Sequence, residues 1–477
     1  MKAETVLQAE SGAHYFLEGL CDLGVEYLFC NLGTDHAPII EAMARWERDA
    51  RPFPTPVLCA HENVAIHMAA GYAIATGRGQ GVLVHVDVGT ANAACGMHNL
   101  LRYRLPVLLM AGTAPYTQRG ELAGSRDGWV HYIQDVRDMP SLVRPYAKWE
   151  YSLAAGVVAK EALRRGYSVA HSDPQGPVYL NLPREPLAER VDAHAVASYP
   201  ADRYGPVRAG GLDDETVAVI ADRLIGAQAP ILVTSYAGRD PAVPALLREL
   251  AQLTGMAVYE PNPVFLNIAR DSPCWSGFAV GAAAAAADFG LLLDVDVPWL
   301  LMDQRDALPG FWAHIDVDPV KQTIPMWDFP AELRVAARSA RALAQLIAAV
   351  RARADDAFHA RVGRRMEVLA RRSDALRQSF RDASTHPGVP GEIAPAFVCA
   401  AVAAAIGPDA VVVNEATRNS PVVLTQALRT VPGTYVGIGG GGLGFSGGLA
   451  LGMKLADRTR RIVQIIGDGS FYFCTPL

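Results

Sequence analysis

Short β-branched apolar runs alternate with stretches of helical spacing along this chain, and no other feature constrains its fold as much. In the first part the runs lie at 25–30, 57–59, 81–86, 106–112 and 176–182. Strands covered on both faces read as unbroken apolar runs, and strands separated by helices pair in parallel. A second set at 230–234, 256–259, 291–296 and 311–316 repeats the alternation, and a further run at 461–466 comes late in the sequence. The expected fold is α/β, with three doubly wound parallel-sheet domains over 1–190, 205–345 and 385–477. A polar, proline-containing linker is expected at 191–210, an amphipathic helix at 5–22, a solvated arginine-rich helix at 351–381 and a loop at 386–390.

Composition removes several classes of function. Hydrophobic residues make up 51% of the chain and charged ones 19%, enough for large buried cores and too apolar for disorder. The net charge is -6 and no basic block is present, so no nucleic-acid partner is expected. The 7 cysteines are scattered, with neither metal spacing nor a disulfide framework. No apolar run reaches membrane-spanning length and the first residues lack a targeting pattern, so a soluble, cytoplasmic setting is expected, with no membrane partner. No G-x-G-x-x-G follows a strand, which argues against an NAD-linked Rossmann protein.

The chemistry-bearing residues fall at strand ends. Gly467-Asp468-Gly469-Ser470 follows the run at 461–466. A carboxylate in such a turn suits a divalent ion bridging to phosphate, and the flanking glycines let backbone groups approach the oxygens. Glu62 opens a helix just after the run at 57–59. An internal repeat is also visible: 69–75, 81–86 and Asp87-Val88-Gly89-Thr90 parallel 447–456, 462–466 and Gly467-Asp468-Gly469-Ser470. By themselves these residues also allow a plain turn at 467–470 and a surface glutamate at 62.

Taken together, the motifs narrow the reading. His61-Glu62, Gly89-Thr90-Ala91-Asn92, Gly176-Pro177-Val178-Tyr179, Asn414-Glu415-Ala416-Thr417, the four glycines 439–442 with Leu443, and Gly467-Asp468-Gly469 follow one order along nearly the whole chain. In that order they resemble the thiamine-diphosphate-dependent enzymes, the superfamily of acetolactate synthase, benzoylformate decarboxylase and cyclohexane-1,2-dione hydrolase.

The resemblance implies a division of labour. The first domain would bind the aminopyrimidine and the third the diphosphate, with the cofactor between two subunits and hence a homodimer or dimer of dimers. Glu62 matches the glutamate that hydrogen-bonds the pyrimidine ring, a task suited to a desolvated carboxyl. Asp468 matches the ligand of Mg2+, and Leu443 the apolar wedge that bends the cofactor. Thr34, Asn92, Ala416, Thr417, Gly442, Gly467, Gly469 and Ser470 would complete the cofactor contacts. His85 aligns with an acid/base histidine, joined by His36 and Gln134 on neighbouring loops; imidazole titrates where such transfers occur.

The implied reaction is decarboxylation or other C–C cleavage of a 2-oxo acid or 1,2-diketone, with carboligation as a further outcome. An acetolactate-synthase-like carboligase and a catalytically silent relative are the alternatives. FAD is not expected in the middle domain. The family places an Asn-Asn pair some tens of residues past the Gly-Asp-Gly turn, whereas this sequence ends at Leu477, so the third domain is expected to be truncated.

Overall fold

A computed structural model describes residues 10–198, 200–302 and 308–474. The chain divides into two compact units: Met1–Val207 with Gly439–Thr459 and Asp468–Leu477, and Arg208–Ile438 with Arg460–Gly467. Three parallel sheets run through them, as the alternation of apolar runs and helices requires.

The first unit holds a sheet of six strands: β1 (Tyr27–Cys30), β2 (Thr55–Leu58), β3 (Gly81–Val84), β4 (Leu108–Thr113), β5 (Glu150–Ser152) and β6 (Val178–Pro183). Their order across the sheet is β2-β1-β3-β4-β6-β5, every pair parallel. All of β3 is buried, which explains its unbroken Gly-Val-Leu-Val. The expected strand at 81–86 stops two residues early. Val86 takes a φ of 38°, a left-handed value that ends the strand, and the helix Val86–Tyr103 starts there. The residues expected as a turn at 87–90 are that helix's first turn. Edge strand β5 escaped the sequence reading because Glu-Tyr-Ser has no apolar pattern.

Three helices of this unit matter below. We number α1 as Gly12–Asp22, α2 as Glu62–Thr76 and α3 as Val86–Tyr103. Helix α1 is shorter than the expected 5–22: Glu10–Ser11 is strand, and 5–9 lie outside the described residues.

The second unit carries a five-stranded sheet of β7 (Pro230–Val233), β8 (Ala257–Tyr259), β9 (Phe289–Leu293), β10 (Phe311–Asp316) and β11 (Leu333–Ala336), ordered β8-β7-β9-β10-β11. It also carries the third sheet, β12 (Val411–Glu415), β13 (Tyr435–Val436) and β14 (Ile462–Ile466), ordered β13-β12-β14. Its short helix α4 is Gly281–Ala286 and its long helix α5 is Asp356–Ala383. The arginine-rich stretch at 351–381 is therefore two helices, because Asp355 caps α5 by accepting the Phe358 N–H at 2.7 Å. Nor is α5 wholly solvated: Phe358, Val362, Leu369 and Ser373 form a buried stripe at helical spacing. The expected loop at 386–390 includes Gly388–Val389, which pairs antiparallel with Glu392–Ile393.

Helix α6 (Ser446–Ala456) belongs to the first unit and packs against α2. Glycines make the approach close: a Cβ on Gly71 would overlap the Leu449 carbonyl, and one on Gly452 the Met68 carbonyl. The two helices of the internal repeat thus lie backbone to backbone.

Candidate active site

Adjacent strands β1 and β3 deliver two polar loops to the same place. Asn31, just past β1, donates its N–H to the Leu83 carbonyl at 3.0 Å, so the loop of 31–36 lies beside His85. Asp35 there is almost completely buried, and its Oδ1 is 2.6 Å from His85 Nδ1. The Val86 N–H reaches Oδ2 of the same carboxylate at 3.4 Å. Space for this pair exists only because two positions are glycine: a Cβ on Gly112 of β4 would overlap Asp35 Oδ2, and one on Gly33 would overlap the His85 ring.

Electrostatics follow from the pairing. The Asp35 hydrogen bond, opposed by burial, lifts His85 above the usual imidazole pKa. Burial alone would push Asp35 upward, yet the His85 bond, with the two imidazoles beside it, outweighs burial and holds the carboxyl below its usual range. On its other side, His85 Nε2 lies 3.0 Å from Gln134 Oε1, so the imidazole can donate from both nitrogens.

His36 is placed differently from His85. It is fully buried, its Nδ1 accepts the Gly33 N–H at 3.0 Å and its Nε2 lies 3.3 Å from Asp35 Oδ2. Burial lowers its pKa, which keeps it neutral near pH 7. The His36 ring has no exposed surface and lies against Asp35. Thr34 is exposed, and its hydroxyl lies 3.3 Å from His131 Nε2.

Glu62 opens α2 and is buried. Asn31 Nδ2 donates to its Oε1 at 3.2 Å and Asn92 Nδ2 to its Oε2 at 2.9 Å. A carboxylate offers about four acceptor positions, so two remain for a ligand N–H. The pocket around Glu62 is consequently more polar than an apolar pocket would be. Gly89, one turn after His85, faces this carboxylate: a Cβ there would sit 3.2 Å from Oε1.

The glycine run is pinned by α3 and α2. Asn99 exchanges two bonds with Gly442, accepting its N–H at 3.0 Å and donating to its carbonyl at 2.9 Å. His98 Nε2 lies 2.7 Å from the Gly440 carbonyl, and Asn63 donates to that of Gly444 at 3.0 Å. Between them His67, pushed by burial down to about 4, holds Asn63 and Asn99 in place as a neutral ring. Leu443 is half-buried beside the pinned turn.

In the second unit, the loop after β12 begins with buried Ala416 and exposed Thr417, which has a φ of 45°. Asn414 shapes it, accepting the Ala416 N–H at 3.1 Å and donating to Ser420 Oγ at 2.9 Å. Gly467 donates its N–H to the Glu415 carbonyl at 3.1 Å, which fixes the end of β14 beside this loop. Asp468 begins the helix Asp468–Phe473 in the first unit; it is exposed and accepts the Gly469 N–H at 2.8 Å. Exposed Gly469 has open space at its Cβ position, and Ser470 is buried. Among the described residues no three His, Cys, Asp or Glu side chains cluster as a metal centre.

Four residues here were absent from the sequence-derived candidates: Asp35, Asn31, Asn63 and Asn99. Asp35 and Asn31 lie on the loop 31–36, whose position just after the run at 25–30 was the available signal. Nothing in the sequence pointed to Asn99, because its partner is more than 340 positions away.

Comparison with known proteins completes the description. Residues 10–140 match the family model for the thiamine pyrophosphate enzyme N-terminal TPP binding domain, and residues 418–476 that for the C-terminal TPP binding domain. Both ends of the chain thus carry the TPP binding domains of thiamine pyrophosphate enzymes. The chain is 25% identical over 462 residues to benzoylformate decarboxylase of Pseudomonas aeruginosa, covering 94% of this chain and 79% of that one. Over 185 residues it is 26% identical to the acetolactate synthase large subunit of Lactococcus lactis, covering 39% of this chain and 30% of the other. Among solved structures, the thiamine diphosphate-dependent 4-hydroxybenzoylformate decarboxylase of Rhodococcus jostii RHA1 shares the fold, with a TM-score of 0.72 at 21% identity over 97% of this chain and 82% of that one. The lyase/transferase class follows, and the α/β fold with several parallel sheets is that of the family.

Proposed function

We propose that this enzyme uses thiamine diphosphate and Mg2+ to cleave the C–C bond beside the carbonyl of a 2-oxo acid, releasing CO2. The observation that supports it most strongly is the buried Glu62 with acceptor positions to spare, close to a histidine whose proton is held by a buried aspartate.

The residues present fit the cofactor. Glu62 would accept from the aminopyrimidine, with Asn31 and Asn92 fixing its carboxylate in one rotamer. Leu443, on a turn held by Asn99, would press against the cofactor, with Gly442 beside it. The loop of Ala416 and Thr417 and the turn Gly467-Asp468-Gly469-Ser470 would take the diphosphate. A lone carboxylate, Asp468, suits Mg2+, which takes most of its oxygens from phosphate and water. When bound, thiamine diphosphate supplies a carbon nucleophile for the substrate carbonyl and a sink for the electrons of the broken bond.

The chain's own groups would move the protons. His85, held at Nδ1 by Asp35, would deliver or take a proton at Nε2, with Gln134 holding that nitrogen in line between transfers. His36 would act through Asp35 as a neutral buried support. The nearby benzoylformate decarboxylase favours an arylglyoxylate-like 2-oxo acid as the first substrate to try. A 1,2-diketone presents the same reacting carbonyl and belongs in the same screen. The working form would be a homodimer or dimer of dimers.

The test is a calorimetric titration with thiamine diphosphate and Mg2+, then a CO2-release screen over 2-oxo acids. Saturable, metal-dependent binding with turnover is the expected result. Absence of cofactor binding, or Glu62→Gln turnover within a few fold of wild type, would overturn the proposal.

A further inference from the structure

A cavity of about 340 Å³ opens in the second unit, between one face of the five-stranded sheet and helices α4 and α5. Its floor is apolar: Ile231 of β7 and Ala257 of β8, which are register partners, with Leu369 of α5. Its wall is Ala283 and Ala286 of α4. Protein interiors are normally filled to crystal-like density. Here a row of alanines, with Gly255 beside them, leaves hollow a space that Leu or Ile would close.

The rim is cationic. Arg365 of α5 lines it and uses its guanidinium on backbone, donating to the carbonyls of Ala227 and Thr254. Arg365 keeps a buried Nε with no hydrogen-bond partner. Arg364 and Arg372 line the cavity, are exposed, and stand eight residues apart on α5 with Val368 between them. Eight residues are about 12 Å along a helix, a span that two arginine side chains can close over one small molecule. Gln228 and Ala229, which line the cavity, spend their N–H groups on the Asp288 carboxylate at 2.6 and 2.9 Å, and no Asp or Glu is among the lining residues. Two guanidinium forks above an apolar slot form a receptor for one chemical class.

We propose that this cavity binds a carboxylate with an apolar body, seated on Ile231, Ala257 and Leu369 and held by Arg364 and Arg372. It uses none of the residues assigned to thiamine diphosphate, and it stands whether or not that assignment does. Such a site would give the enzyme a place for an acid that is neither substrate nor cofactor.

The test is calorimetric titration of the full chain, saturated with thiamine diphosphate and Mg2+, with 3-phenylpropionate, which has no 2-oxo group to react. 3-Phenylpropanamide serves as the uncharged control. Saturable binding of the acid is expected, weakened about tenfold or more when Arg364→Ala and Arg372→Ala are combined. Filling the slot with Ala283→Leu, with melting unchanged, should abolish binding while both guanidiniums remain. The proposal fails if the acid does not bind, if the amide binds equally well, or if the acid binds all variants alike.

Discussion

The loops after β1 and β3 and the loop after β12 share a device and differ in what supports it. Each places a β-branched residue in left-handed backbone, Val86 at a φ of 38° and Thr417 at 45°. Such conformations cost roughly 1–3 kcal/mol and persist only where the surroundings impose them. Around Val86 the imposing groups are within the protein: buried Asp35 binds both the His85 ring and the Val86 N–H. Thr417 is exposed, and what holds its loop is the Asn414 amide behind it. The Asp35–His85–Val86 turn is thus held by paired groups within the protein, whereas Thr417 stands exposed on a loop shaped from behind.

The largest effect should come from the β1 and β3 side. Glu62→Gln should lower turnover by about 10²-fold or more while leaving the melting temperature near wild type, since one of Asn31 and Asn92 can still donate to the amide oxygen and the other can turn its amide to accept from the NH2; steady-state kinetics beside a melting curve will read both. His85→Ala should spare cofactor binding by calorimetry and cost about 10²-fold in turnover.

Asp35→Asn separates support from chemistry. It should cost about tenfold or more in turnover and move whichever limb of the pH–rate profile His85 sets to lower pH, because His85 loses the partner that raises its pKa. Stability carries the same signature. A raised His85 contributes fully below the unfolded value near 6.5 and loses its contribution as pH rises through the native one. Asp35, held low, contributes above its unfolded value near 3.9 and loses its contribution as pH falls through the native one. The urea-midpoint gap between wild type and Asp35→Asn should therefore be widest at about pH 5 to 6. A gap that is flat with pH would break the comparison.

Two glycine changes give the smaller effects, both read by denaturant unfolding. Gly112→Ala forces a methyl into Asp35 and should cost about 1–3 kcal/mol. Thr417→Gly relieves a left-handed β-branched residue and should leave the free protein equal or up to about 1 kcal/mol more stable, with weaker cofactor binding. If Thr417→Gly destabilises the free chain instead, that loop is held as firmly as the one at Val86.

Much of the fold was legible because a parallel strand buried on both faces has to be apolar throughout: β3, β7 and β9 are unbroken runs. Edge strands escape that demand, and so β5 and β11 carried no readable pattern. Of the candidate site, polar residues that follow strands were legible, Glu62, His85 and the Gly-Asp-Gly turn, whereas Asn92 lies within α3. Asp35 was passed over between two chosen neighbours, because nothing local says which member of Thr34-Asp35-His36 turns inward.

By itself the sequence determined the α/β class, the order of most strands along the chain and which titratable residue types follow them, all consequences of local periodicity and residue chemistry. Tertiary structure decided which of those groups meet. Asp35 lies 50 positions from His85 and becomes its partner only through the pairing of β1 with β3 and the space left by Gly112 on β4. Burial then decided the charges: the contact that raises His85 and the enclosure that keeps His36 and His67 neutral are properties of packing, and packing is set by residues far apart in the chain.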